Sequence, residues 1–160
     1  MDIKVVQADY NNSEHQAHLR RLLSAYACDP MGGGKALSPD VLEQLPQQLS
    51  QLPYAVSFLL YVDGEAAGLA NCFLSFSTFA GKAILNIHDF AILPQFRGNN
   101  LSQKLLQKIE EHAKQKDCCK ITLEVLSNNS AAKAAYQKFG FESYELAREA
   151  GQALFWQKNI

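Results

Sequence analysis

The 160-residue sequence predicts one α+β domain over residues 1–160, a mixed and mostly antiparallel central β-sheet flanked by helices on both faces. Three observations predict it. Apolar, β-prone runs from Tyr54 onward are separated by the turn signals Asp63-Gly64 and Ala80-Gly81-Lys82. A long stretch between Gly98 and Lys116 carries apolar residues at helical spacing. Strand and helix patterns then alternate to Trp156. With 48% apolar residues, the chain can bury a core without disulfides or metals.

Residues 2–8 (DIKVVQA) alternate and are β-branched, which suits a first strand. Asn11-Asn12-Ser13 caps a helix in which Leu19, Leu22, Leu23 and Tyr26 form one stripe, ending near Cys28. Asp29 to Gly34 is a turn-rich break read as a flexible loop, and Ser38-Pro39-Asp40 opens a short second helix with Pro at its first position. Tyr54–Val62, Glu65–Phe79 and Ala83–Leu93 form an antiparallel meander that Pro94 stops, because proline has no N–H for a ladder. The helix between Gly98 and Lys116 presents Leu101, Leu105, Ile109, His112 and Ala113 on one face. A strand over Ile121–Leu126, a helix over Ala131–Phe139, and final strands over Phe141–Leu146 and Ala153–Trp156 complete the order.

Composition excludes several classes. The formal charge is −1, from 15 basic and 16 acidic residues mixed along the chain, so no basic stripe exists to bind a phosphate backbone, and no nucleic acid partner is expected. The start MDIKVVQADY lacks the pattern of a signal peptide, and Tyr54–Val62 is too short to span a bilayer, so no membrane association and a cytoplasmic location are expected. Cys28, Cys72, Cys118 and Cys119 form no CxxC pair and read as reduced thiols. None of the four histidines has a ligand-like spacing to a cysteine, so no metal site is expected.

The stretch Ile92 to Ser102 (ILPQFRGNNLS) is a strand ending in a glycine-containing turn that feeds directly into the long helix. Such a turn directs backbone N–H groups and the positive end of the helix dipole outward, a combination that binds phosphate. Gly98 permits close approach of the backbone to an anion, and Arg97 adds a charge beside it. Taken alone, the turn fits an ordinary strand-to-helix connection equally well. Downstream, Asn129 begins a helix that carries Tyr136 two turns on, and Gly140 supplies a left-handed cap. By periodicity alone Tyr136 is a core or boundary aromatic.

The pair RGNNLSQKLL and LEVLSNNSAAKAAYQKFGF resembles the two hallmark motifs of the GNAT superfamily of acetyl-CoA-dependent N-acetyltransferases. Gln95 and Gly98 are in register with that family's (Q/R)xxGx(G/A) turn, and Asn129 to Phe141 is similar to its N-to-Y helix and terminal GF. Two linked motifs in the right order are far more specific than either alone. The likeness is best from about Ala83 to Phe141 and departs from the pattern at Asn100, where the family prefers Gly or Ala, and at Ser102, where Gly is common. Asn tolerates unusual backbone angles and Ser is small, so the turn can still form.

The resemblance implies a site. Acetyl-CoA would be a co-substrate, with Phe90, Ala91 and Ile92 running beside its pantetheine arm and the N–H groups of Arg97, Gly98, Asn99, Asn100, Leu101 and Ser102 holding the pyrophosphate. Asn129 would contact the cofactor and the Tyr136 hydroxyl would lie near its sulfur as the acid for the leaving thiolate. A strand N–H near Ile92 would polarise the carbonyl. For the base, His88 has the better intrinsic pKa, while Asp89 would attract a cationic amine, since the HDF segment resembles one in the superfamily's polyamine acetyltransferases. Strand alternation predicts that His88 and Asp89 face opposite sides. Glu124 is a third candidate, by its match to a Glu that serves as base in ribosomal-protein N-terminal acetyltransferases.

The Gly32 to Lys35 loop and Phe73, Phe76 and Phe79 are expected to border the acceptor. A small cationic amine such as a polyamine or amino acid is favoured, with a peptide or protein N-terminus, or a silent acyl-CoA-binding module, as the alternatives. The apolar Leu154, Phe155 and Trp156 leave room for a homodimer.

Overall fold

A computed structural model describes residues Met1–Ile160. The chain divides into two units, Met1–Leu126 and Ser127–Ile160.

The first unit is built on a five-stranded sheet in the order β1-β2-β3-β4-β5. β1 (Ile3–Gln7), β2 (Ala55–Val62), β3 (Glu65–Ser77) and β4 (Lys82–Ile92) pair antiparallel, and β5 (Lys120–Leu123) runs parallel to β4. Two hairpins with Asp63-Gly64 and Gly81 at positive φ join β2 to β3 and β3 to β4, the chemistry expected of these turns.

α1 (Ser13–Cys28) starts where the Asn12 side chain accepts the N–H groups of Glu14 and His15, and α2 (Pro39–Ser50) has Pro39 in its first turn. α2 is a full 12 residues, longer than the short helix predicted. α3 (Leu101–Gln115) carries buried Leu101, Leu105, Leu106, Ile109, His112 and Ala113 on one face.

The two layers are read from β2. Leu59 joins Leu19, Leu22, Leu23 and Leu69 in a core beneath α1. Phe58, next in the strand and therefore pointing the other way, meets the His112 ring of α3 edge-on at 5.5 Å. Burial pushes the His112 pKa down, helped by Lys116 and Lys108, so the ring sits in that core as a neutral group.

The second unit holds α4 (Ser130–Phe139), closed by Gly140 at φ 114°, whose N–H returns to the carbonyls of Gln137 and Tyr136. The two final strands predicted over Phe141–Leu146 and Ala153–Trp156 do not form. The segment contains one 3-10 turn at Arg148–Ala150 and a single Glu145–Gln152 bridge. The first run is interrupted by Glu142 and Glu145, the second is four residues long and follows Gly151 at positive φ, and two isolated short strands do not hold a ladder in water. Leu146, Leu154, Phe155 and Trp156 are left exposed. No helix is long and apolar enough to cross a membrane.

Candidate active site

β5 accompanies β4 only from Ile84 to Ile87, so the edge of β4 from His88 to Ile92 has no strand beside it on that side. The N–H of Leu93 is spent on Ala67 of the neighbouring β3. By alternation, the Ile92 N–H points to the other, open edge. The Ile92 carbonyl on that edge accepts Arg97 Nε at 2.9 Å. A peptide-like ligand laid along this edge would meet strand hydrogen-bonding groups.

At the start of the open edge β4 carries an extra residue. Cys72 of β3 pairs with Ile87 and Asn71 with Asp89, leaving His88 outside the register. This β-bulge corrects the expectation that His88 and Asp89 face opposite sides. Because the bulge absorbs one residue, Asp89 lands on the α1 side with Asn71. The His88 ring meets Phe73, also on that side, edge-on at 5.6 Å. The bend therefore delivers an imidazole and a carboxylate together.

Asp89 is half-buried and its Oδ2 accepts Asn71 Nδ2 at 3.0 Å. Its charge reaches two neighbours. Burial pushes the Cys72 thiol up to about 12, with the Asp89 carboxylate adding to the effect. Burial also raises the Tyr26 hydroxyl on α1, again with a contribution from Asp89. Of the aromatic residues expected at the acceptor side, only Phe73 shares this face. Phe76 falls on the opposite face by alternation, and Phe79 is fully exposed in the hairpin turn. β5 ends at Leu123, so Glu124 lies one residue beyond, at the point where the strands part, and is exposed.

The turn into α3 places Gly98 at φ 87° and Asn100 at φ 59°, ψ 18°, both left-handed. This explains the asparagine: only glycine is more at ease there. The Gln103 N–H is spent on the Asn100 carbonyl at 3.2 Å, and the N–H groups of Leu101 and Ser102 open the helix at its positive dipole end. Arg97 departs from expectation. Its backbone N–H is spent on Pro94 at 3.2 Å, and its guanidinium donates to Asp29 Oδ2 at 2.9 Å. Leu101 buries its side chain in the core, so only its backbone faces the turn.

The segment read as a flexible loop after α1 is an ordered turn. Asp29 accepts the Met31 N–H on its side chain and the N–H groups of Gly32 and Gly34 on its carbonyl. A Cβ at Gly32 would overlap the Tyr26 carbonyl, so the turn seats on α1 only with glycine there. The Arg97 hydrogen bond, and next the Met31 N–H, hold the Asp29 carboxyl below its usual range.

In the second unit, Asn129 Oδ1 caps α4 by accepting the Ala132 N–H at 3.2 Å, and the Tyr136 ring meets Phe141 edge-on at 5.8 Å. Reasoning from sequence missed Ser57, Asn71 and Asp29. The first two carried a signal: Ser57 and Asn71 each interrupt an apolar run, AVSFLLYV and AAGLANCFL.

The first unit thus has a sheet that parts beside a bulged strand and a left-handed turn that feeds α3. The model of the acetyltransferase (GNAT) family matches residues 19–141. The chain belongs to this family. It is 30% identical over 105 residues to a putative ribosomal protein bS18-alanine N-acetyltransferase of Bacillus subtilis (strain 168), covering 66% of each chain. It is 32% identical over 90 residues to a thialysine N-epsilon-acetyltransferase of Bos taurus, covering 53% of this chain and 52% of that one. The chain thus spans about half to two thirds of these relatives' length. Among solved structures, it matches a probable acetyltransferase with TM-score 0.80 at 20% identity, over 98% of this chain and 99% of the other. It matches AAC(6')-Iy, in complex with a bisubstrate analogue, with TM-score 0.77 at 19% identity over 100% of both chains. These likenesses establish the fold.

Proposed function

We propose that the protein is an N-acetyltransferase that moves the acetyl group of acetyl-CoA to a small cationic amine such as a polyamine or amino acid. The observation that carries this reading is the Asp89 carboxylate. It is half-buried beside the open edge of β4, bonded by the neutral Asn71, and in no salt bridge with a basic residue of the chain. A partly desolvated carboxylate without a counter-ion is suited to an ammonium supplied by a ligand. Relatives named thialysine N-epsilon-acetyltransferase support an amine side chain as acceptor.

The donor set fits acetyl-CoA as co-substrate. The edge at Phe90, Ala91 and Ile92 suits the amide-bearing pantetheine arm, and the turn from Gly98 to Ser102 suits the pyrophosphate. Asp89 binds the ammonium, and either it or His88 removes the proton that frees the nitrogen lone pair. The Ile92 N–H stabilises the carbonyl oxygen as the N–C bond forms and the C–S bond breaks. The departing thiolate takes a proton from Tyr136, a role that rests on its place in the N-to-Y helix, as does the cofactor contact of Asn129. Arg97 must leave Asp29 before it can pair with phosphate. A cytoplasmic site of action and a homodimer joined through Leu154, Phe155 and Trp156 complete the reading. A monomer by light scattering would overturn the homodimer.

The second reading is a peptide N-terminal acetyltransferase, favoured by exposed Glu124 where β4 and β5 part and by the bS18-alanine relative. The test is acetyl-CoA calorimetry with a thiol-release assay on spermidine, lysine and an alanyl peptide. Release on spermidine or lysine supports the first reading, and release on the peptide alone supports the second. Binding without release identifies a silent acyl-CoA module, and no binding overturns the enzyme reading.

A further inference from the structure

A hydrogen-bonded chain crosses three strands and ends on Asp89. Tyr10 Oη lies 2.8 Å from Ser57 Oγ, Ser57 Oγ lies 2.6 Å from Asn71 Oδ1, and Asn71 Nδ2 lies 3.0 Å from Asp89 Oδ2. Ser57 and Asn71 are 1% and 4% exposed, the buried polar side chains of β2 and β3. No buried side-chain nitrogen or oxygen is left without a partner, so this polar thread is fully satisfied.

The protons have only one consistent order. An ionised carboxylate only accepts, so Asn71 must turn its NH2 toward Asp89 and its carbonyl toward Ser57. Ser57 must then donate its single proton to Asn71, which leaves Tyr10 as the donor to Ser57. Burial pushes the Tyr10 hydroxyl above its ordinary pKa, so it keeps the proton this order needs. Every donor along the thread points at Asp89, and each is held in that sense by the one before it.

We infer that Tyr10, Ser57 and Asn71 are positioning residues that fix the Asp89 carboxylate by Oδ2 and present Oδ1 to the ammonium of the acceptor. The inference rests on the proposed role of Asp89 as the acceptor's anionic anchor. β2 and β3 thus act at a distance on the strand that carries the chemistry. Without the thread, the Asp89 side chain can turn about its rotamers, and the anchor loses its direction rather than its charge.

The test compares Tyr10→Phe, Ser57→Ala, Asn71→Leu and Asp89→Asn, with spermidine, lysine and an alanyl peptide as acceptors. For the amine that the wild type acetylates fastest, Ser57→Ala and Asn71→Leu are expected to lower kcat/KM about 10-fold and Tyr10→Phe about 3-fold. The Kd for acetyl-CoA stays within about twofold of wild type, because the thread touches none of its groups. A merely structural role is separated by a double-mutant cycle. In an Asp89→Asn background, adding Ser57→Ala is expected to change kcat/KM less than about twofold. Full additivity of the two losses overturns the inference. So does a Tyr10→Phe variant with wild-type kinetics alongside a wild-type Ser57→Ala variant, which keeps the test open should Asn71→Leu fail to fold. An inactive wild type would instead strike the proposed function, and an active wild type unaffected by Asp89→Asn would strike the role of Asp89.

Discussion

Replacing Asn100 by glycine and, separately, by alanine removes the same amide side chain and leaves only the backbone demand of the turn to distinguish the two proteins. Asn100 sits at φ 59°, ψ 18°. A left-handed conformation costs an L-residue about 1–2 kcal/mol, a cost glycine avoids. Against this, glycine gives the unfolded chain extra freedom worth about 0.4–1 kcal/mol. The difference leaves Asn100→Gly about 0.5–1 kcal/mol more stable than Asn100→Ala. For a chain of this size that is a Tm gap of about 1–4 °C. The order is the reverse of the usual one, in which glycine is the weaker of the pair. Thermal unfolding followed by circular dichroism reads the gap, and acetyl-CoA calorimetry on both variants reads whether the turn still forms its donor set. An alanine variant that melts at or above the glycine variant would refute the argument that residue 100 was selected for a left-handed backbone.

Other outcomes follow from burial and charge. Phe58 of β2 is completely buried against α3, so Phe58→Ala is expected to cost about 3–5 kcal/mol in urea unfolding. The Cys72 thiol, pushed up to about 12, should resist a thiol-disulfide reagent at pH 8 in the folded protein while exposed Cys28 and Cys119 react. All four should react after unfolding. Asp29 has a folded-state pKa below its unfolded one, so its contribution to stability is present above about pH 4 and is lost as pH falls through the folded value. The Tm difference between wild type and Asp29→Asn should therefore shrink as pH falls below about 4, and a difference that holds or grows would contradict the Arg97 pairing.

Helices α1 and α3 were legible because their apolar residues repeat at helical spacing, and for α1 the cap is local as well, with Asn12 immediately before the first helical residue. The meander was legible from Asp63-Gly64 and Gly81, whose turn chemistry needs no distant partner. The motif residues Gly98, Asn100, Asn129 and Tyr136 were marked by resemblance, and the left-handed angle at Asn100 gives its departure from Gly a physical reason. The bulge at His88 was not legible, because alternation counts residues and a bulge is a miscount that only the partner strand reveals. Arg97 was placed beside phosphate because nothing local to Gln95–Asn99 points to Asp29, 68 residues earlier. The final strands failed for the opposite reason. Local β-propensity at Phe141–Leu146 and Ala153–Trp156 was real, but propensity does not supply the neighbour that a strand requires.

The extra residue at position 88 makes β4 a strand with a removable link. Excising His88 would leave Ile87 opposite Cys72 and Asp89 opposite Asn71, so no side chain would change sides and β3 and β4 would pair as an unbroken ladder. What would go is the bend, and with it the reason for β5 to stop following β4 at Ile87. Folding and access to the open edge are thereby written into different parts of the chain. The ladder needs the alternation on either side of the slip, while the gap needs one surplus backbone unit. A lineage of this chain can lose the second by a three-nucleotide deletion and keep the first intact, leaving a sound sheet with nowhere for a ligand to lie.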